Sequence, residues 1–408
     1  MITAFCILLL GMVTSCPVGV FKNVKNILYQ QTQKRVFRTD ASMRLSIKNS
    51  LIKQLRSVFL QTFGSTWHMD KSMSVVYHYT ESDCISIGLK DDPVNPNYIW
   101  IELSEGLVNL MDDFDALSDD VFLQMLHNGS IKRDIDKFFQ DDTEIIYIPA
   151  GRSMMTLLSS QIMYLYSVMN DDQKRSLDYC TQNYLERIMQ LKPAFSNSAV
   201  SQIKSKMELT DVIIDKENLF QCAELMKAIL QSEYRSIDGE ERLQVASDRY
   251  VKINYASSGQ QEAVWILNVL FYYMLNNKKS YFIIEEPESH LFPDAQKAIT
   301  EFITLAKNGR NKVVLTTHSP YVLGSINNLL YANRVSREVD AEKLQKILSK
   351  HLWLNFETLS AYFLENGTMR NITDSEFEDI DHDVIDGASA DINETYEAMV
   401  ALRHGEEN

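Results

Sequence analysis

Hydrophobic and polar positions change period several times along the chain, and each change marks an expected element. From Leu45 to Thr62 the apolar residues Leu45, Ile47, Leu51, Ile52, Leu55, Val58, Phe59 and Leu60 recur at helical spacing. Alternation follows in Met73 to Tyr79, Cys84 to Leu89 and Tyr98 to Leu103, which predicts a small β-meander. Glu144 to Pro149 (EIIYIP) reads as a short strand, broken by Pro149-Ala150-Gly151-Arg152. From about Met154 to Leu230 the pattern is helical. One stripe is Leu157, Leu158, Ile162, Leu165 and Tyr166, another Leu185, Ile188, Met189 and Leu191. Its heptads are not sustained, so a long coiled-coil arm is not expected. Asp238-Gly239 predicts a hairpin turn between segments around Tyr234 and Leu243.

Between Tyr250 and Asn328 strand and helix signals alternate, as in a parallel α/β sheet. Tyr250 to Tyr255 comes first. Ala256-Ser257-Ser258-Gly259-Gln260-Gln261-Glu262 then opens an apolar helix, whose N-terminal N–H groups form a seat for phosphate oxygens; plain N-capping by serine is the alternative. Tyr281-Phe282-Ile283-Ile284 reads as a buried strand that ends in Glu285-Glu286-Pro287-Glu288. Acids at the end of a parallel strand sit where open α/β sheets bind ligands: one can hold Mg²⁺ while its neighbour orients and deprotonates a water. A solvated acidic loop is the alternative. After a helix beginning near Pro293, a strand from Lys312 to Thr316 leads into Thr317-His318-Ser319-Pro320, where Ser319 and Pro320 are suited to start a helix. His318 is therefore expected at a strand-to-helix corner on the same sheet edge as the two glutamates.

Composition narrows the picture. The 408 residues carry 45% hydrophobic and 23% charged side chains, which is globular, and allow two or three lobes. The net charge of −15 opposes nonspecific nucleic-acid binding by the chain as a whole, though not a local basic groove. Cys6, Cys16, Cys84, Cys180 and Cys222 show no metal-ligand spacing and read as reduced thiols of a cytoplasmic protein. Ala4 to Val13 (AFCILLLGMV) followed by Cys16 imitates a lipoprotein signal. The first basic residue is Lys22, however, and the run is too short to span a membrane, so a buried strand or helix, or an ill-defined start of the reading frame, is expected instead.

These motifs resemble a known group. Ala256 to Gln260 is similar to the ABC signature, Tyr281 to Glu286 to a Walker B strand, Ser289-His290-Leu291-Phe292-Pro293 to a D-loop, and His318 to the switch histidine. The wording EEPESHLFP and TTHSPYVL resembles the AAA-annotated, ABC-class ATPases of the OLD (overcoming lysogenisation defect) type more than membrane transporters. Ile148 to Arg152 (IPAGR) extends the likeness. The resemblance implies ATP and Mg²⁺ as ligands, with Glu285 for the metal, Glu286 as general base and His318 for the γ-phosphate. It further implies that Ser257, Ser258, Gly259 and Gln260 contact ATP held by another subunit, in a head-to-tail homodimer with two nucleotides at the interface. Arg152 is expected to be a phosphate or interface arginine, or else part of a surface ion pair. A nuclease or nucleic-acid partner follows by resemblance; a membrane does not.

One part of the pattern is missing. A P-loop needs G-x-x-x-x-G-K-[ST] to wrap phosphates in backbone N–H groups, and no segment fits; Gly19-Val20 and Gly64-Ser65-Thr66 lack the second glycine and the lysine. Met1 to Val20 then reads as an unmatched leader in a chain that begins after the loop; truncation, a partner that supplies the loop and degeneration to a scaffold compete, and the presence of Glu285, Glu286 and His318 together favours truncation, since a long-degenerate site is expected to lose some of them. The expected fold is α/β, an ABC-type P-loop NTPase-like sheet flanked by helices with a helical insertion and a small β-meander. The expected segments are the N-terminal part of the ATPase core at 1–150, the insertion at 151–245, the core with its motifs at 246–335, and a helical, acidic tail at 336–408. The acids from Asp374 to Asp386 read as a solvated face. Two functions compete: an ATPase that couples nucleotide state to a partner in DNA maintenance or phage defence, and a non-catalytic interaction protein that keeps the ABC fold.

Overall fold

The computed structural model describes residues 5–10, 24–35, 46–63, 66, 69, 74–90, 98–140, 143–157, 168, 179–209, 214–309, 311–365, 368–381, 393–400 and 402–403. Along the chain the first elements are β1 (Phe5–Leu10), α1 (Val24–Arg35), α2 (Ile47–Phe63), β2 (Ser74–His78), β3 (Cys84–Lys90) and β4 (Tyr98–Leu103). Then come α3 (Glu105–Ala116), α4 (Asp119–His127), α5 (Ser130–Phe139), β5 (Glu144–Ile148), α6 (Arg152–Leu157), α7 (Tyr179–Leu191), α8 (Ala199–Met207) and α9 (Lys216–Leu230). The strands β6 (Glu233–Ile237), β7 (Glu240–Ala246) and β8 (Arg249–Lys252) precede α10 (Ser258–Leu275), β9 (Ser280–Glu285), α11 (Pro293–Asn308), β10 (Lys312–Thr317) and α12 (Pro320–Val335). Last are α13 (Ala341–Gln345), β11 (Leu359–Glu365), β12 (Thr368–Asn371), β13 (Thr373–Asp374) and β14 (Asp379–Ile380). Two compact units result, one from residues 1–14, 148–165 and 184–408, the other from 15–147 and 166–183.

In the second unit the alternating segments form the antiparallel sheet β2-β3-β4, with Ile85 opposite Leu103 and Ile87 opposite Ile101. Ile85, Ile87, Ile99 and Ile101 are buried in one cluster with Leu51, Leu55, Val58 and Phe59 of α2 and with Ile131, Ile135 and Phe139 of α5. A period of two on the sheet meets a period near 3.6 on the helices, which produces one shared apolar layer.

The first unit is built on a sheet in which β12, β11, β1, β10 and β9 follow one another in that order. β1 pairs in parallel with both β10 and β11, and β10 in parallel with β9, while β12 runs antiparallel to β11. Phe282 to Ile284 and Val313 to Leu315 are buried without alternation, as befits strands covered on both faces. Helix α10 is buried over most of its length, including Trp265 and Phe271, and α11 and α12 also turn apolar faces inward.

Three expectations change. The apolar start of the chain is not an unmatched leader throughout, because β1 lies between β10 and β11 in the main sheet. Tyr250 to Tyr255 is not part of the parallel sheet: β8 pairs antiparallel to β7 in a sheet of order β6-β7-β8, and Ile253–Tyr255 is a 3₁₀ turn. The tail is not simply helical, since β11 and β12 complete the main sheet. Part of its acidic stretch forms the β13-β14 pair, and Asn327 holds Ile380 by both amide ends. The hairpin turn at Asp238-Gly239 does link β6 to β7, with φ 53° and 81° at its two residues. Of the helical stripe from Leu157 to Tyr166, all but Leu157 lies outside the described residues. No helix among the described residues is long and apolar enough to cross a membrane.

Candidate active site

The parallel register of β9 and β10 sets Glu285 beside Thr316, which places Glu286 and His318 at the same end of adjacent strands. Glu285 is buried, and its Oε2 accepts the Ala150 N–H at 3.1 Å. The chain turns sharply after it, with Glu286 at φ 42° and His290 at φ 61°, left-handed values that residues with a side chain rarely adopt. The Glu286 N–H donates to the Thr316 carbonyl at 3.0 Å and lies 3.3 Å from Thr316 Oγ1. Its carboxylate accepts from Ser289 Oγ at 3.0 Å on Oε2, while Oε1 lies 3.5 Å from His318 Nε2. Both side chains reach solvent, Glu286 at 36% and His318 at 55% exposure.

Behind this pair, Glu288 Oε1 accepts from Thr317 Oγ1 at 2.5 Å and from the His318 N–H at 2.9 Å. Ser319 begins α12 by accepting from Tyr321 N and Val322 N, and its own hydroxyl donates to Gln296 at 2.5 Å. His318 is thus held by its main chain while its ring stays open.

At the start of α10, Ser257 and Gln260 form a reciprocal capping box: Ser257 Oγ accepts the Gln260 N–H and Gln260 Oε1 accepts the Ser257 N–H. Gln260 also donates to the Leu230 carbonyl at 2.7 Å, so its amide serves the fold on both ends. Ser257 and Ser258 are exposed. Gly259 is buried against the acid turn, where a Cβ would lie 2.6 Å from the His290 carbonyl oxygen, so the close approach of α10 to that turn needs glycine. Arg152 is 0% exposed. It is therefore no surface ion pair: its Nε lies 3.2 Å from Glu262 Oε2, and its guanidinium donates to the carbonyls of Pro149, Glu262, Glu285 and Glu286.

Among the described residues no three or more His, Cys, Asp or Glu side chains gather as a metal cage. Mg²⁺ needs only one or two carboxylates and completes its shell with water and substrate phosphate, so the single strand-end carboxylate of Glu285 is of the kind that could hold it.

A family model described as an AAA ATPase domain matches residues 115–323, a little over half of the chain. The chain belongs to the AAA ATPase domain family. No curated protein matches the chain. Among solved structures it is similar to an SmcHead bound to the C-winged helix domain of ScpA, with 11% identity, 91% of this chain and 89% of that one covered, and a TM-score of 0.38. An Smc head domain with an extended coiled coil bound to the C-terminal domain of ScpA, derived from Pyrococcus furiosus, gives 11%, 91%, 89% and 0.33. The SMC head domain from Thermotoga maritima gives 10%, 80%, 86% and 0.30. Overlaps of this size say nothing about what the chain binds.

Two residues at the site escaped the sequence reading. Glu288 stood in the quoted acidic run without a role, and its place one residue after Pro287 was the available signal. Glu262 stood in the quoted helix start without a role; its carboxylate accepts the N–H groups of Arg152 and Ser153, about 110 residues earlier, and nothing local marks that pairing.

Proposed function

We propose that the chain binds and hydrolyses ATP as an ABC-class ATPase of the OLD type, with the working residues in the segment 246–335. The observation that supports this most is the open Glu286-His318 pair, 3.5 Å apart at the end of two parallel strands. In this reading Glu286 is the general base: Ser289 steadies one carboxylate oxygen, and the other, loosely paired with His318 at 3.5 Å and open to solvent, takes a proton from an attacking water. His318 contacts the γ-phosphate, its position set by the Glu288 bond to its N–H. Glu285 holds Mg²⁺, which supplies charge to neutralise the phosphates. Ser257, Ser258, Gly259 and Gln260 face the nucleotide of a second copy in a head-to-tail dimer, with the α10 N-terminus as an anion seat. The dimer passes its nucleotide state to a nuclease or nucleic-acid partner in the cytoplasm, in DNA maintenance or phage defence.

A second reading, a scaffold that keeps the fold without turnover, is favoured by the lack of any G-x-x-x-x-G-K-[ST] segment. Equilibrium binding of a fluorescent ATP analogue to the purified chain, with and without Mg²⁺, separates the two. Micromolar, Mg²⁺-dependent binding together with phosphate release supports the enzyme; no binding leaves the scaffold.

A further inference from the structure

We infer that Arg152 is a positioning residue that locks the strained main chain of the acid turn, and that it does not touch nucleotide. Strand β5 ends at Ile148, before Pro149, and Gly151, at φ 68°, turns the chain so that Ala150 and Arg152 address Glu285 and Glu286, the consecutive acids at the end of β9. The Ala150 N–H holds the Glu285 carboxylate. Arg152 Nη1 donates to the Pro149 and Glu285 carbonyls, each at 2.6 Å, and Nη2 to the Glu286 carbonyl at 2.8 Å. A planar guanidinium can grasp two successive carbonyls in one fixed geometry, which a lysine ammonium cannot reproduce.

Glu262 supports the clamp from the other side. Its carboxylate takes the N–H groups of Arg152 and Ser153 at 3.0 and 2.8 Å, and its carbonyl takes Arg152 Nε at 3.1 Å. The buried charge is thereby paired and hydrogen-bonded throughout, the condition under which such a charge is tolerated.

What the clamp holds is the least comfortable backbone at the site. Glu286 sits at φ 42°, and such strain persists only when its surroundings over-determine it. Thr316 holds the Glu286 N–H and Arg152 holds its carbonyl, so the main chain is gripped on both sides of the residue whose carboxylate meets His318. With no surface of its own, Arg152 acts on that carboxylate only through the backbone.

The catalytic arm of this inference rests on the ATPase reading; the structural arm does not. The test is Arg152→Lys, which leaves Glu262 a cation, read by amide hydrogen exchange without nucleotide and by steady-state ATP turnover. Protection should be lost at the N–H groups of Glu286, Ser289 and Leu291 and kept in α10. The kcat should fall roughly a hundredfold at unchanged KM, the scale of a ~1 Å misplacement of a reacting group. Unchanged protection at Glu286 overturns the inference, as does uniform loss across the protein, which marks a merely structural ion pair. A raised KM at unchanged kcat overturns it in favour of nucleotide contact. If Arg152→Lys does not fold, Arg152→Gln combined with Glu262→Gln, which leaves no lone buried ion, carries the same readouts. A wild-type chain that turns over no ATP sinks the ATPase reading, while the exchange pattern still decides the clamp.

Discussion

Two ion pairs meet at Glu286 and are built on opposite plans. Arg152 and Glu262 are buried, with side chains 0% and 1% exposed, and the guanidinium also donates to four main-chain carbonyls. His318 and Glu286 stand 55% and 36% exposed at 3.5 Å, too long for a strong hydrogen bond. One grips the main chain of the acid turn and the other leaves its side chain free. A site that must exchange partners during a reaction needs both: a fixed backbone and a carboxylate held only by solvent-exposed, weak contacts.

Breaking the open pair should have the largest effect, and on rate alone. Glu286→Gln is expected to cut phosphate release by about 10²- to 10⁴-fold, the usual worth of a general base, with retained nucleotide binding. Equal binding and equal turnover would remove Glu286 from the chemistry. Breaking the buried pair should act on stability: Arg152→Met leaves Glu262 without its cation and should lower unfolding free energy by ~3–5 kcal/mol in urea titration.

A third charge sharpens the contrast because it is buried with no carboxylate within ion-pair distance among the described residues. Lys307 is 8% exposed, bonds Thr358 Oγ1 at 2.9 Å, and burial lowers its pKa from 10.5 to about 8. Between those values the unfolded chain binds the proton more strongly, so stability should rise as the pH climbs from about 8 towards 10.5. Lys307→Met should flatten that rise and stabilise the protein at pH 7 by ~1–3 kcal/mol, as calorimetry across pH would show. The smallest effect is expected at the open histidine. His318→Ala should change stability by less than about 0.5 kcal/mol by thermal melting, since an exposed pair contributes little.

Local pattern carried much of this to the reader of the sequence. Alternation marked the meander at Ser74–His78, Cys84–Lys90 and Tyr98–Leu103, helical spacing marked Ile47–Phe63, and the acids of the EEPE run stand at a strand end beside His318. Partners far along the chain stayed hidden. Nothing near Tyr250 said that its strand turns back on β7, and Leu359 to Asn371 lacked any local sign of belonging to the main sheet. The burial of Arg152 was invisible for the same reason, because it depends on Glu262 and on carbonyls of residues 285 and 286. Sequence spacing names elements well; it does not say which of them close on one another.

The place of β1 has a consequence for the order of events during synthesis. Its two neighbours in the sheet, Lys312–Thr317 and Leu359–Glu365, emerge from the ribosome roughly 300 residues after it, and closing so long a loop is slow. Until they arrive, an apolar strand has both hydrogen-bonding edges open, the kind of segment that aggregates or recruits a chaperone. Yield of folded protein should therefore depend on how fast the last hundred or so residues follow the first.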